Sequence, residues 1–148
     1  MWTRTSSLLR AVAVASLVLA AGCAGESSTT SPSTTTPTVA PATVNETFAG
    51  LVPVGGAAFY SFSVVERGTV NLTLSSVGGT GVPSTAWMGL GIGTPSGIDC
   101  VTSATTNTAA GSAVHVTATQ DPGVYCARVF DIGNLVSPAL VTVAIAHP

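Results

Sequence analysis

The sequence predicts an all-β domain, an antiparallel β-sandwich of seven or eight short strands. Apolar and polar residues alternate with the period of two that marks a strand with one buried face. Gly, Pro, Asn and Ser separate these runs at short intervals, and no window shows an amphipathic helix with capping residues. Short strands at regular spacing are typical of a sandwich around one core.

Three strands are clear from alternation alone. Tyr60, Phe62 and Val64 alternate with serines, residues 70–74 alternate between aliphatic and polar side chains, and residues 141–145 repeat the pattern. The turn-forming residues between the first two runs predict that those runs pair as a hairpin. Weaker strand candidates lie at residues 46–52, 87–93, 98–102, 113–119 and 124–130.

The candidate strand at residues 124–130 follows a short turn. Alternation predicts that Tyr125, Ala127 and Val129 face the core and that Cys126 faces outward. The spacing of Tyr125 from the preceding Asp121 resembles the tyrosine corner of immunoglobulin domains. Because the cysteine directly follows the tyrosine instead of standing two residues after it, a true immunoglobulin fold is disfavoured.

Four segments together resemble a known bacterial family. They are residues 59–64, with an aromatic strand, residues 68–74, with an aliphatic strand, residues 121–129, with Pro-Gly-x-Tyr, and the closing valine-rich strand. The order is similar to the pre-peptidase C-terminal domain over about residues 45–147. That resemblance implies a jelly-roll-like β-sandwich, of a kind often appended to secreted hydrolases. This sequence departs from the family in its cysteine pair and in lacking a protease domain.

Residues 1–22 resemble a bacterial lipoprotein signal peptide. The first ten residues hold two arginines and no acid, and the apolar run at 11–21 is too short to span a bilayer. Small residues precede Cys23, as in a lipobox, so we expect lipid on Cys23 and anchorage in a membrane. The alternative is an ordinary secretory signal that leaves Cys23 as a free thiol.

Residues 23–44 form the predicted lipidated tether, and residues 45–148 form the predicted β-sandwich domain. The tether is rich in Ser, Thr and Pro and almost free of large apolar side chains, so it cannot offset its ordering entropy by burial. We therefore expect an extracytoplasmic domain held at the bacterial cell envelope. Ala24 follows the lipidated cysteine where an inner-membrane retention signal has Asp, which favours the outer membrane in a diderm organism.

The cysteines support this extracytoplasmic location. Lipid on Cys23 leaves Cys100 and Cys126, which can pair in an oxidising compartment. A metal site is the rival interpretation, but the pair lacks CxxC spacing and a neighbouring histidine cluster. We therefore predict a structural disulfide.

Composition excludes one large class of partner. The domain has no Lys and only two Arg, too few to neutralise the phosphates of a nucleic acid. The domain has few candidate catalytic residues. It contains two histidines and no GxSxG motif. We expect His115 on the solvent face and His147 near a fraying chain end. We therefore expect neither catalysis nor a cofactor.

Two weaker candidate sites remain. Asp131 and Asn134 could supply oxygen to Ca²⁺, but calcium takes six or more oxygen ligands. An Asx turn with Gly133 at positive φ explains the same residues.

The second candidate is a shallow ligand trough. Alternation places Gly89, Gly91 and Gly93 on one face of a strand, beside Trp87. Glycines within a strand often mark a close approach by a ligand or another backbone, and a Trp wall suits a sugar ring. The alternative is a strip covered by neighbours such as Phe130 or Arg128.

Taken together, these features predict a non-enzymatic envelope lipoprotein, monomeric, that binds a polysaccharide or an envelope protein. A second possibility is an accessory domain for a separately encoded secreted hydrolase. A third is a small hydrolase whose site the sequence does not reveal.

Overall fold

The computed structural model describes residues 40–148, which form eight β-strands, as the alternation predicts. Predictions for residues 1–39, including the signal peptide, Cys23 and most of the tether, lie outside the described residues. Within residues 40–148 no helix is long and apolar enough to cross a membrane. The strands are β1 (Val44–Val52), β2 (Ala57–Val64), β3 (Gly68–Gly78), β4 (Met88–Ser96), β5 (Asp99–Thr108), β6 (Val116–Gln120), β7 (Gly123–Phe130) and β8 (Ala139–His147).

The strands form two four-stranded antiparallel sheets packed as a β-sandwich. One sheet has the order β1-β8-β3-β6 and the other β2-β7-β4-β5. The chain can be described as one long hairpin whose tip is the β4–β5 turn and which is rolled up into two sheets. Its successive strand pairs, from the tip outward, are β4·β5, β3·β6, β2·β7 and β1·β8. This is the jelly-roll order, which closes eight strands into two sheets.

The core lies between the inner faces of the two sheets. Alternate residues of β3 and β8, such as Leu72, Leu74, Val143 and Ile145, are buried, and the residues between them are more exposed. In β7 the core side chains are Ala127 and Val129, with Tyr125 packed against them. The side chains therefore face as alternation predicts.

The hairpin predicted between residues 60–64 and 70–74 is wrong. Strand β2 pairs with β7, whereas β3 pairs with β6 and β8, so the two strands belong to opposite sheets. The three residues between Val64 and Gly68 carry the chain across the sandwich. Alternation shows which face of a strand is buried but not which sheet contains it, and both strands here bury their apolar face in the same core.

The tyrosine corner is present in part. The Tyr125 hydroxyl donates a hydrogen bond to the backbone oxygen of Asp121 at 3.0 Å, four residues upstream. Its ring lies 6.3 Å from that of Phe62 across the β2–β7 pair. The bond fixes the start of β7 within a jelly roll, not an immunoglobulin fold.

The two ends of the sandwich differ. We call the end that holds the β1–β2, β3–β4 and β7–β8 connections, residues 53–56, 79–87 and 131–138, the loop end. The β5–β6 connection, residues 109–115, leaves this end along the edge of β3, where Gly111 and His115 donate backbone hydrogen bonds to Leu74 and Leu72. The opposite end, which we call the entry end, holds the start of β1 at Val44 and the short turns after β2, β4 and β6. Since β1 runs from one end to the other, the chain enters the domain at the end opposite the three loops.

Candidate binding surface at the loop end

Asp131 joins two of the three loops. Its Oδ2 accepts a hydrogen bond from the backbone N–H of Gly55 at 2.8 Å, and its Oδ1 accepts bonds from Gly133, Asn134 and Leu135 at 2.8, 3.0 and 3.2 Å. Donation by Gly55, followed by that of the other three amides, lowers the pKa of the Asp131 carboxyl. The ionised carboxylate thus holds the β1–β2 loop against the β7–β8 loop.

These bonds correct the metal candidate at Asp131 and Asn134. Both carboxylate oxygens of Asp131 are engaged by backbone amides, and the Asn134 side-chain amide donates to the backbone oxygen of Trp87 at 3.0 Å. Gly133 has φ 94°, which makes the segment the Asx turn that was the alternative interpretation. In the described part of the chain no three His, Cys, Asp or Glu side chains group as metal ligands.

The third loop is fixed by two further side chains from the β7–β8 loop. Asn134 binds the backbone of Trp87, and the Ser137 hydroxyl donates to the backbone oxygen of Thr80 at 2.6 Å. The β3–β4 loop is therefore held at both of its ends. Hydrogen bonds from side chain to backbone link the three loops to one another, and the buried side chains of Val82 and Leu135 anchor two of the loops in the core.

Apolar side chains project from this fixed backbone into solvent. Trp87 on the β3–β4 loop is 54% exposed and Val136 on the β7–β8 loop is 86% exposed, and Ile132 on the β7–β8 loop and Val54 on the β1–β2 loop are exposed as well. Asp131 is the only charged residue in residues 53–56, 79–87 and 131–138, and its charge is bound internally. The loop end is therefore an uncharged, partly apolar surface that carries one exposed aromatic ring.

The open trough that was a candidate over Gly89, Gly91 and Gly93 is not present. All three glycines are buried, and they pair across β7 with Phe130, Arg128 and Cys126 in turn. A Cβ added at Gly89 would lie 2.2 Å from Cζ of Phe130, so that ring occupies the space above the strand. The covered strip, which was the alternative, is the arrangement found. Trp87 lies outside β4, in the loop before it.

Atoms of β5 fill the space at the other two glycines, Thr105 and Thr102 at Gly91 and the backbone of Val101 at Gly93. The Arg128 side chain lies on the outer face of β7. Its guanidinium lies 5.6 Å from the centre of the Phe130 ring, donates to the backbone oxygen of Cys100 at 3.3 Å, and lies 3.7 Å from Asp99. Cation–π contact and the two polar contacts hold the side chain along the outer face of the sheet. No ligand-sized space remains over the glycines.

Cys100 and Cys126 stand at disulfide distance, with Sγ–Sγ 2.07 Å and both side chains fully buried. Cys126 lies on the outer face of β7, as predicted from its alternation with core residues. The bridge joins β5 to β7, and β4 lies between those strands. The bridge crosses over β4 at Gly93, the last residue of β4 that pairs with β7.

A polar cluster on the core side of the β1–β8 pair was missed by sequence reasoning. His147, expected to fray, is only 3% exposed; its Nε2 lies 3.2 Å from Oε1 of Glu46, and its ring lies 5.1 Å from that of Phe62. The Glu46 carboxylate raises the pKa of Tyr60, chiefly by hydrogen bonding and then by charge. The signal that could have found the cluster is alternation continued to the last residues of β8, which places His147 on the face of Ile145.

His115 also differs from expectation. It is partly buried, and its Nδ1 accepts a hydrogen bond from the backbone N–H of Leu74 at 3.1 Å. The side chain thus satisfies the backbone of β3 beyond the point where β6 begins.

No protein-family model matches the chain, and no curated protein matches it in sequence.

Proposed function

We propose that this chain is a non-enzymatic lipoprotein of the bacterial cell envelope, anchored through lipid on Cys23, whose β-sandwich binds an uncharged polysaccharide at the loop end. The observation that carries the proposal is the exposed Trp87 ring on a loop fixed by hydrogen bonds from Asn134 and Ser137. An aromatic ring on a fixed backbone stacks on a sugar with little loss of conformational freedom.

The direction of β1 supports this proposal. The tether of residues 23–44 leads into β1 at the entry end, and β1, which is nine residues long, ends at the loop end. A chain anchored at Cys23 would therefore present Trp87 on the side of the domain away from its attachment. The outer membrane is the proposed location where the organism has one.

The charge at the loop end supports a neutral ligand. Residues 53–56, 79–87 and 131–138 contain no Lys, Arg or His, and Asp131 is engaged by four backbone amides. An acidic polymer would find no cation there to pair with. An envelope protein that docks through apolar side chains is the alternative partner.

Fluorescence tests the proposal, because Trp2 lies in the proposed signal peptide and Trp87 is the only other tryptophan. We expect red-shifted, readily quenched emission from the processed protein, and a blue shift with protection from quencher when neutral cell-wall oligosaccharides are added. Trp87→Ala should abolish binding in calorimetry. The matched control is Ile98→Ala, which changes a 97% exposed apolar residue at the entry end and should leave binding unchanged.

Two results would contradict the proposal. Blue-shifted, quencher-resistant emission from the free protein would show that Trp87 is already packed. Equal loss of binding in Trp87→Ala and Ile98→Ala would show that the loop end is not the binding surface.

An accessory role beside a separately encoded secreted hydrolase is the second candidate. The observation that favours it is the jelly-roll strand order, which the resemblance to the pre-peptidase C-terminal domain implies. This role predicts that a secreted hydrolase encoded next to this chain gains yield or thermal stability when both are co-expressed. Unchanged hydrolase yield and stability would count against it.

A further inference from the structure

We propose that the free edge of β2 binds an extended peptide segment of a protein partner, which adds to the β2-β7-β4-β5 sheet as a fifth strand. Such an edge presents a row of backbone donors and acceptors, and another extended backbone is the group that complements them. This surface lies along β2 and is separate from the Trp87 loop.

The sandwich has four edge strands, and three of them carry a feature that opposes strand addition. Strand β1 has an inward-pointing charge, Glu46, and β6 is only five residues long. In β5 the register shifts opposite Ile92 and Gly93, so that Ser103 bulges out of the pairing with β4. Inward charges, short strands and bulges are the devices by which sheet edges avoid pairing with other chains.

Strand β2 carries none of these features. Its eight residues, Ala57–Val64, contain no charge, Pro or Gly. Its register with β7 is unbroken from Ala57↔Phe130 to Val64↔Gly123. Among the described residues, no backbone hydrogen bond connects the other edge of residues 57–64 to a loop or strand; the nearest such bond joins Val65, just beyond β2, to Pro148 at 3.3 Å. The edge is therefore long, regular and unpaired.

The side chains along β2 indicate what partner would fit. Phe62 and Val64 are buried, but Tyr60, which alternates with them toward the inside, is 37% exposed and stacks on Phe48 at 5.8 Å between ring centres. A strand added to β2 would cover Tyr60 with an inward-facing apolar residue.

The probe is a synthetic peptide with the sequence of Gly123–Phe130 and serine in place of Cys126. That sequence already pairs antiparallel with β2, so its side-chain spacing fits the strand. With the isotope-labelled full chain, we expect amide chemical-shift changes and slowed hydrogen exchange concentrated at residues 57–64.

Two N-methylated peptides supply the decisive comparison. Each carries methyl groups on alternate backbone nitrogens, one set on each edge of the strand. Methylation of the edge that bonds to β2 should weaken binding by about tenfold or more, because each methyl group removes a backbone hydrogen bond to β2. Methylation of the opposite edge should leave binding unchanged. Equal binding by the two methylated peptides would overturn the proposal.

Protein variants give an independent test. Tyr60→Lys would place an inward charge on β2, as Glu46 does on β1, and should abolish peptide binding. Thr47→Lys, on the exposed outer face of β1, is the matched control and should bind normally. Shift changes at residues 99–108 in place of 57–64 would assign strand addition to β5. Concentration-dependent shifts at β2 without peptide would assign the edge to a second copy. Either result would refute the proposed partner.

Discussion

Among the glycines of β4, Gly93 has the backbone of β5 nearest to it. A Cβ at this position would lie 1.9 Å from the backbone oxygen of Val101, whereas real contacts of that kind are well over an ångström longer. The register shift beside Gly93 brings the two backbones together, and only a residue without a side chain allows it. The glycine thus serves backbone packing within the β4–β5 hairpin, not an open ligand surface.

We predict that Gly93→Ala lowers the free energy of unfolding by about 3 kcal/mol, because the neighbouring atoms are backbone and cannot rotate away. Gly78→Ala is the matched control, since a Cβ there meets nothing within 4 Å. It should change stability by less than about 0.5 kcal/mol. Chemical denaturation of both variants would measure this, and equal stability of the two would contradict the packing role of Gly93.

Asp131 holds the β1–β2 and β7–β8 loops together through four accepted hydrogen bonds. We predict that Asp131→Ala destabilises the domain by about 1–2 kcal/mol at neutral pH. The matched control is Asp121→Ala, whose carboxylate faces Arg67 at 3.5 Å on the open surface and should matter less.

The effect of Asp131 should depend on pH in one direction. Its pKa is lower in the folded state, so its stabilising contribution is fully present above its ordinary pKa of 3.8 and is lost as the pH falls through the lowered value. The stability difference between wild type and Asp131→Ala should therefore be constant at neutral pH and shrink in strong acid. A difference that grows on acidification would show that the hydrogen bonds are not to the ionised carboxylate.

At the residue scale, sequence reasoning was strongest where a position depends on its own neighbours. The Asx turn at Asp131 follows from local side-chain chemistry, and the facing of Cys126 follows from alternation. The burial of His147 depends on Glu46, which is far away in sequence but paired through β1 and β8. Contacts of that kind depend on strand order, which alternation does not encode.

The β4–β5 hairpin and strand β7 are tied by the Cys100–Cys126 bridge. Strands two apart in a sheet are separated by about 10 Å, but these Cα atoms are 6.0 Å apart. The hairpin therefore curls toward β7 beyond Gly93, where β4 no longer pairs with β7. The bridge keeps this unpaired end of the hairpin on the outer face of the sheet.

We predict that reduction lowers the melting temperature by several degrees, because closing a loop with 26 residues of separation contributes about 3 kcal/mol. Thermal unfolding with and without reductant measures the shift. The double variant Cys100→Ser/Cys126→Ser should melt at the lower temperature and ignore reductant. Peptide mapping that finds both thiols free in exported protein would refute the bridge.

At the element scale, the positions of the strands were predictable and their partners were not. All eight strands coincide with segments of alternation, although β5 extends to Thr108, well past the predicted 98–102. That extension is rich in Thr, and the residues on its inner face are only partly buried. The two faces of the strand therefore differ little in hydrophobicity, and the alternation is hard to recognise in the sequence. The false β2–β3 hairpin shows the same limit, since a short turn can join strands within one sheet or across two.

For the whole molecule, we predict that the mature chain begins at Cys23 and carries lipid. Two or three acyl chains hold a protein firmly, whereas one binds a membrane weakly. Intact-mass measurement of membrane-extracted protein should show the acylated chain, and Cys23→Ser should release the protein from the membrane. A mature mass that starts at Ala24 or later, without lipid, would refute the anchor.

The pairing of β1 with β8 determines how the domain would respond to mechanical load. The nine cross-strand pairs lie along the line from the entry end to the loop end. A pull between a membrane anchor at the entry end and a ligand held at the loop end would shear all nine pairs at once. A pull on the first and last strands at the entry end, where Val44 lies opposite His147, would instead open the pairs one after another. The domain should therefore resist force far better in the first geometry, the one that a tethered receptor experiences.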